Sequence, residues 1–335
     1  MKLNPKLLTE PEKNSTRKGF GAGLLEAAKR NASVWALTAD LAGSTGIGEF
    51  LHTYPNRFIE CGVAEQNLVT VASGLAAAGK IPFATSFAAF SPGRNWEQIK
   101  TTIAYNDQPV IIASTHSGLG VGEDGATHQM LEDIAMMRAI PNMQVIVPCD
   151  FEQAKKATIE LAKNPKPTYL RLTRQDAPTI TTDKTEFKIG KAQILKKGKD
   201  ITIIGCGPIL YEAIKAAQEL SESGENNSSR KKQKTEKISV EIINLHTIKP
   251  LDKKTIIKSA KKTGRIITLE DHQINGGMGS AVCELLSEHY PLPVKRLGIK
   301  DSFGESGTAE QLYEKHKLTR KHIIKEIKNI MKMRK

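Results

Sequence analysis

THSGLGVGEDGATHQ, Thr115 to Gln129, is the stretch that decides how the rest of the chain is read. It follows an unbroken apolar run, Val110–Ser114, and so begins at the carboxyl end of a buried strand. Its four glycines and two histidines, with Glu123 and Asp124 between them, suit neither a core nor a simple turn. Glycine lets backbone and ligands approach closely, so titratable side chains can be gathered at one mouth. In open parallel α/β sheets, ligands bind outside the carboxyl ends of the strands. The stretch is therefore expected to be a polar wall of an active site.

Strands and helices alternate outward from it. Residues 15–31 predict a helix capped by Ser15 or Thr16, and VWALTA (34–39) predicts a buried strand ending at Asp40. RFIEC (57–61), an alanine-rich helix over 64–79, IPFATS (81–86), a helix from about Asn95 to Tyr105, a helix near Gln129–Ala139, QVIVP (144–148), a helix at 151–163 and TYLRL (168–172) complete a first unit. The order implies a doubly wound parallel sheet. Asp40, Glu65, Phe87, His116 and Arg174 then all fall just past strand ends, on one edge of one sheet.

Residues 180–192 read as a linker. A second α/β unit follows: ITIIGC (201–206), a helix at 208–220, SVEIINL (239–245), a helix at 252–261, RIITLE (265–270), a helix near 279–288, KRLGI (295–299) and a lysine-rich, mostly helical end. The expected domains are 11–180 and 190–330. Within the second unit, between its first helix and second strand, lies 221–237, SESGENNSSRKKQKTEK, a polar stretch expected to be a disordered excursion. GCG (205–207) lacks the rest of a dinucleotide fingerprint.

Composition excludes several classes. The 335 residues suffice for two domains of about 150 residues each. No apolar run reaches the ~20 residues of a membrane span, and the amino-terminal residues lack a signal peptide's apolar core; a cytoplasmic protein is expected. Four scattered cysteines suit free thiols better than disulfides or zinc, and no metal ligands are assigned to this chain. The net charge of +13 falls almost wholly after residue 180. It is carried mostly by lysines without interleaved aromatics, which reads as a solvated surface and not as a nucleic-acid site.

ECGVAEQN (60–67), ATSFAAF (84–90), GEDGATHQ (122–129), IPNMQVIVPCD (140–150) and TRQ (173–175) resemble the pyrimidine-binding domain of transketolase. EDH (270–272) and GGMG (276–279) resemble that family's carboxyl-terminal domain. The family's diphosphate-binding domain has no counterpart here, so the chain looks like the carboxyl-terminal subunit of a split transketolase. The resemblance implies transfer of a two-carbon ketol unit from a ketose phosphate to an aldose phosphate through a thiamine diphosphate ylide. The magnesium ligands would lie on a separate amino-terminal subunit, and the expected assembly holds two copies of each chain.

The resemblance also implies roles. Glu65 matches the carboxyl group that hydrogen-bonds the aminopyrimidine nitrogen, and apolar surroundings at a helix start would help it carry that proton. Phe87 and Phe90 match the aromatic slot for the ring, and Asp40 matches a residue close to the cofactor. His128 and Asp124 match groups that meet substrate hydroxyls. Arg17, Ser44, His116 and Arg174 match a distal phosphate site, where arginine can bind two oxygens at once. The chain reads SPGRNW where full-length relatives carry a tyrosine, so that cofactor contact does not transfer, and Arg94 has no assigned role.

Without the resemblance, Glu65 reads equally as a helix-dipole residue, Arg17 as a surface residue of the capping turn and Asp40 as an Asx turn. Three other families or classes compete. The β subunit of a 2-oxo acid dehydrogenase would lack GEDGATHQ. Deoxyxylulose-phosphate synthase carries a similar segment but is normally one chain. A non-catalytic basic binding partner would have no need of Glu65 and both histidines.

Overall fold

The computed structural model describes residues 2–222 and 237–332. The excursion expected at 221–237 lies, apart from Ser221, Glu222 and Lys237, outside the described residues.

The protein is α/β throughout, with two principal sheets. The larger has seven strands in the spatial order Thr247–Lys249, Gln144–Ile146, Thr168–Arg171, Ile111–Thr115, Ile81–Phe87, Val34–Thr38, Phe58–Glu60. All are parallel except the first, which pairs antiparallel with Gln144–Ile146. The second sheet runs Val294–Ile299, Ile266–Gln273, Ile201–Gly205, Val240–Asn244, Gln193–Lys196, with only the last strand antiparallel. Central strands such as Ile111–Thr115 and Ile201–Gly205 are buried at every position. Such strands are covered by helices on both faces, which is why they read as continuous apolar runs.

Helices begin where the sequence offers an acceptor. Ser15 caps Thr16–Arg30 by accepting from the Lys18 amide, and Asp150 caps Phe151–Lys163 through the Gln153 amide. The helix Thr16–Arg30 packs along Phe151–Lys163, and their apolar faces close a core around Phe20, Phe50 and Phe83.

Three expectations change. The helix foreseen near 129–139 is only Asp133–Arg138, because residues 129–131 are used elsewhere: the Gly118 amide bonds the Met130 carbonyl, and Ser117 bridges to Met130. The helix foreseen from Asn95 to Tyr105 is α only over Trp96–Gln98 and widens to a π-helix over Ile99–Ala104. Thr101 and Thr102 hydroxyls donate there to the Glu97 and Gln98 carbonyls, a side-chain competition that distorts helices. Finally, the strands Gln193–Lys196 and Thr247–Lys249 were not foreseen. The latter carries a segment from beyond residue 190 onto the edge of the first sheet, and one core cluster runs from Leu37 through Ile204 to Leu286.

Candidate active site

The carboxyl ends of the first sheet's parallel strands hold two adjoining clusters. The first is aromatic. Phe87, ending the strand Ile81–Phe87, stacks on Phe90 with centroids 5.9 Å apart and on His116 at 3.7 Å. His128 meets the Phe90 ring edge-on at 5.5 Å. Glu65 opens the helix Glu65–Ala77 and is 3% exposed. Its Oε2 lies 3.1 Å from Arg94 Nη1, and the Arg94 guanidinium sits 4.2 Å over the Phe90 ring. Glu65 thereby joins the aromatic cluster.

His116 is buried in a left-handed conformation, φ 58°, with Nδ1 2.9 Å from the Thr115 hydroxyl. Burial, with Arg17, Arg174 and His128 nearby, pushes its pKa down to about 3, so the ring is neutral at physiological pH. It links the aromatic cluster to the second, cationic one.

Arg17 and Arg174 face a cavity of about 470 Å³ lined also by Lys18, Gly120, Glu123 and Thr308. Burial and the neighbouring Arg174 push Arg17 down from its ordinary value, the sign of two cations sharing one space. Arg174 lies 3.7 Å from both Glu123 and Asp124, too far for close pairing. Ser44 adjoins Arg17: its carbonyl accepts from that guanidinium at 2.6 Å. Asp40 stands at the rim, φ 59°, its amide donating to Glu60. A larger cavity of about 560 Å³ between Lys13, Tyr211 and Tyr313 borders this region, but it contains none of the residues named above as candidates.

The loop carrying Asp124 and His128 is held from the second sheet, which sequence reasoning missed. Asp271 accepts from the Leu119 amide through Oδ1 at 3.0 Å and from the Tyr313 hydroxyl through Oδ2 at 3.0 Å. Gln129 donates to the Glu305 carbonyl at 2.9 Å. Glycine is required at Gly118, where φ is 77° and a Cβ would sit 2.2 Å from the Asp271 carboxylate that holds the loop. Behind the loop, Arg171 Nε and the Tyr169 hydroxyl both donate to Asp133 Oδ2, and Arg171 also reaches the Asp271 carbonyl. Burial would lower Arg171, yet Asp133 and Asp271 outweigh it and hold the guanidinium charged.

The motif EDH thus divides its work. Glu270 accepts from the Met278 and Gly279 amides at the start of the helix Met278–His289, and burial pushes it up to about 7. Asp271 holds the loop. His272 accepts from the Ile134 amide at Nε2 and lies 2.7 Å from the Gln273 carbonyl at Nδ1. With the proton assigned to Nδ1, both nitrogens are satisfied in the neutral form; burial brings the pKa to about 4. Three titratable residues at the end of an apolar run were the available signal for this contact.

The fold and the cleft define an α/β protein with a polar cavity at the carboxyl edge of a parallel sheet. Residues 12–179 match the family description "Transketolase, pyrimidine binding domain" and residues 190–323 "Transketolase, C-terminal domain". A Methanocaldococcus jannaschii protein described as a transketolase C-terminal section is 44% identical over 94% of this chain and 96% of its own. A 6-deoxy-6-sulfo-D-fructose transketolase subunit from Clostridium sp. is 39% identical over 90% of each chain. A solved "split gene transketolase, inactive beta4 tetramer" superposes with a TM-score of 0.86 at 39% identity, covering 96% of this chain and 99% of that one. The chain belongs to the transketolase family and carries its pyrimidine-binding and carboxyl-terminal domains.

Proposed function

We propose that the chain is the carboxyl-terminal subunit of a split transketolase, moving a two-carbon ketol unit from a ketose phosphate to an aldose phosphate in the cytoplasm. Its partner would be an amino-terminal subunit bearing the diphosphate-binding domain and the magnesium ligands, in an assembly of two copies of each. The carrying observation is a nearly buried carboxylate, Glu65, joined through Arg94 to the stacked Phe87 and Phe90 with His128 at the ring edge.

These residues fit the aminopyrimidine of thiamine diphosphate: an aromatic surface, a carboxylate for a ring nitrogen, and a buried Ser86 hydroxyl that lacks a hydrogen-bond partner at the same strand end. When bound, that cofactor supplies a carbanion able to accept and release the two-carbon unit. Glu65 would hold a proton at the ring nitrogen; Phe87 and Phe90 would hold the ring. His128 and Asp124, on the loop held by Asp271, would meet the sugar hydroxyls near the reacting carbons. Neutral His116 would serve as a hydrogen-bonding and packing group, not as a cation. Arg17 and Arg174 would bind the terminal anion, with charge-assisted bonds roughly twice as strong as neutral ones. The Clostridium relative is named for a sulfonated sugar, so a sulfonate is a second candidate for the cavity between the arginines.

The test mixes the chain with a diphosphate-domain subunit, cofactor, Mg²⁺, xylulose 5-phosphate labelled with ¹³C at C1 and C2, and ribose 5-phosphate. The expected result is label at C1 and C2 of a seven-carbon product, only in the mixture. Decarboxylation of a 2-oxo acid added to the same mixture, without label transfer, would move the chain to the dehydrogenase class.

A further inference from the structure

Arg94 holds a position that the proposed function leaves without a role. The aminopyrimidine of the cofactor needs a flat surface to stack on and a carboxylate at one ring edge. Arg94 makes both contacts: its planar cation lies 4.2 Å from the Phe90 centroid, and Nη1 is 3.1 Å from Glu65 Oε2. A guanidinium is a planar array of N–H donors that stacks on aromatic faces, so it reproduces in outline what the protonated ring edge would offer.

The placement is built into the backbone. Asn95, fully buried, donates to the Glu65 carbonyl at 2.8 Å and the Ser91 hydroxyl at 3.1 Å, fastening the turn 91–95 to the start of the Glu65 helix. Gly93 packs so closely that a Cβ there would lie 2.0 Å from the Ala89 carbonyl. The turn is therefore fixed against Glu65, while the Arg94 side chain beyond it is 52% exposed.

Resting on the thiamine reading of this site, we propose that Arg94 is a built-in occupant of the pyrimidine half-site, which the cofactor displaces from Glu65 when it binds. The pair gives the buried carboxylate a counterion before the cofactor arrives. It also lowers apparent cofactor affinity, because only the fraction of molecules with Arg94 swung away is competent to bind. A half-exposed ion pair is modest, so the reduction should be roughly three- to tenfold.

The experiment titrates thiamine diphosphate, at saturating Mg²⁺, into the reconstituted two-subunit assembly and follows tryptophan fluorescence. R94M keeps the stem and removes the planar cation; R94K keeps the charge without the plane. Melting curves confirm that both variants fold. The expected result is a Kd about three- to tenfold lower for R94M, with R94K between it and wild type, and a faster association phase for R94M. An equal or higher Kd for R94M would overturn the proposal, the higher value making Arg94 a residue that positions Glu65 for the cofactor. Failure of the wild-type assembly to bind the cofactor would instead sink the thiamine reading, and this proposal with it.

Discussion

The cleft at the strand ends and the contact between the two sheets are built from the same residue types, yet they differ in how closely their charges are paired. Behind the loop, Asp133 receives Tyr169 at 2.6 Å and Arg171 at 2.7 Å, and His272 has a partner at both nitrogens. In the cleft, Arg174 stands 3.7 Å from its two carboxylates, Arg17 and Arg174 donate to the Ser44 and Val121 carbonyls, and both line one cavity without a close carboxylate partner among the described residues. A buried charge without a partner is costly, so a fold pairs its structural charges closely. Loosely paired, partly exposed charge persists where a ligand is to complete it. Charged residues alone do not mark a candidate site; loose ion pairing at a strand-end cavity does.

The largest effect should come from breaking the sealed cluster. R171M leaves Asp133 buried without its cation, which typically costs about 3–5 kcal/mol. Denaturant unfolding of the variant should show a loss of that size. A loss below 1 kcal/mol would erase the proposed contrast with the cleft.

Acid should act with a definite sign on three buried histidines, of which His272 lies in the sealed cluster, His116 in the cleft and His246 against Phe187. His116, His246 and His272 have folded pKa values near 3, 4 and 4 against an ordinary 6.5. Between those limits the unfolded chain binds more protons, so stability is lost as pH falls below about 6.5, by about 1.4 kcal/mol per pH unit for each histidine. Glu270, raised to about 7 from 4.5, acts oppositely: the folded state keeps a proton the unfolded chain releases, which offsets one histidine over that interval. H246Q should reduce the slope between pH 6.5 and 4 by about one proton. An unchanged slope would mean that His246 is charged in the fold.

A smaller effect is expected in the cleft. R174A should lower discrimination between phosphorylated and non-phosphorylated acceptors by about tenfold, roughly the value of one charge-assisted hydrogen bond. Unchanged selectivity in competition assays would move the anion site elsewhere.

How much of this was legible in the sequence follows from the range of the interactions. The strand ends at Asp40, Phe87 and His116 were readable because a buried parallel strand is an apolar run followed by a polar break. The helix starts at Ser15 and Asp150 were readable because capping is local. The edge strand Thr247–Lys249 was not, since its partner lies about a hundred residues away, on Gln144–Ile146. Nor was the work of Asp271, whose hydrogen bond to Leu119 spans 152 positions. The helix expected from Gln129 failed for the same reason: Gln129 is taken up by the Leu119, Gly122 and Glu305 carbonyls. Arg94 lies between these extremes. It is near Phe90 in sequence, but only the packing of its turn against the Glu65 helix gives it a partner.

The most direct test is to measure two-carbon transfer and the melting temperature of E65Q in the reconstituted assembly, beside wild type. Gln keeps the volume of Glu65 and removes the carboxyl group. The predicted result is a rate lowered roughly 10²–10⁴-fold, the usual worth of general acid–base catalysis, with the melting temperature nearly unchanged. Wild-type transfer by E65Q would contradict the placement of the reaction at this carboxylate. A large drop in melting temperature would show that Glu65 belongs with the sealed cluster and not with the cleft.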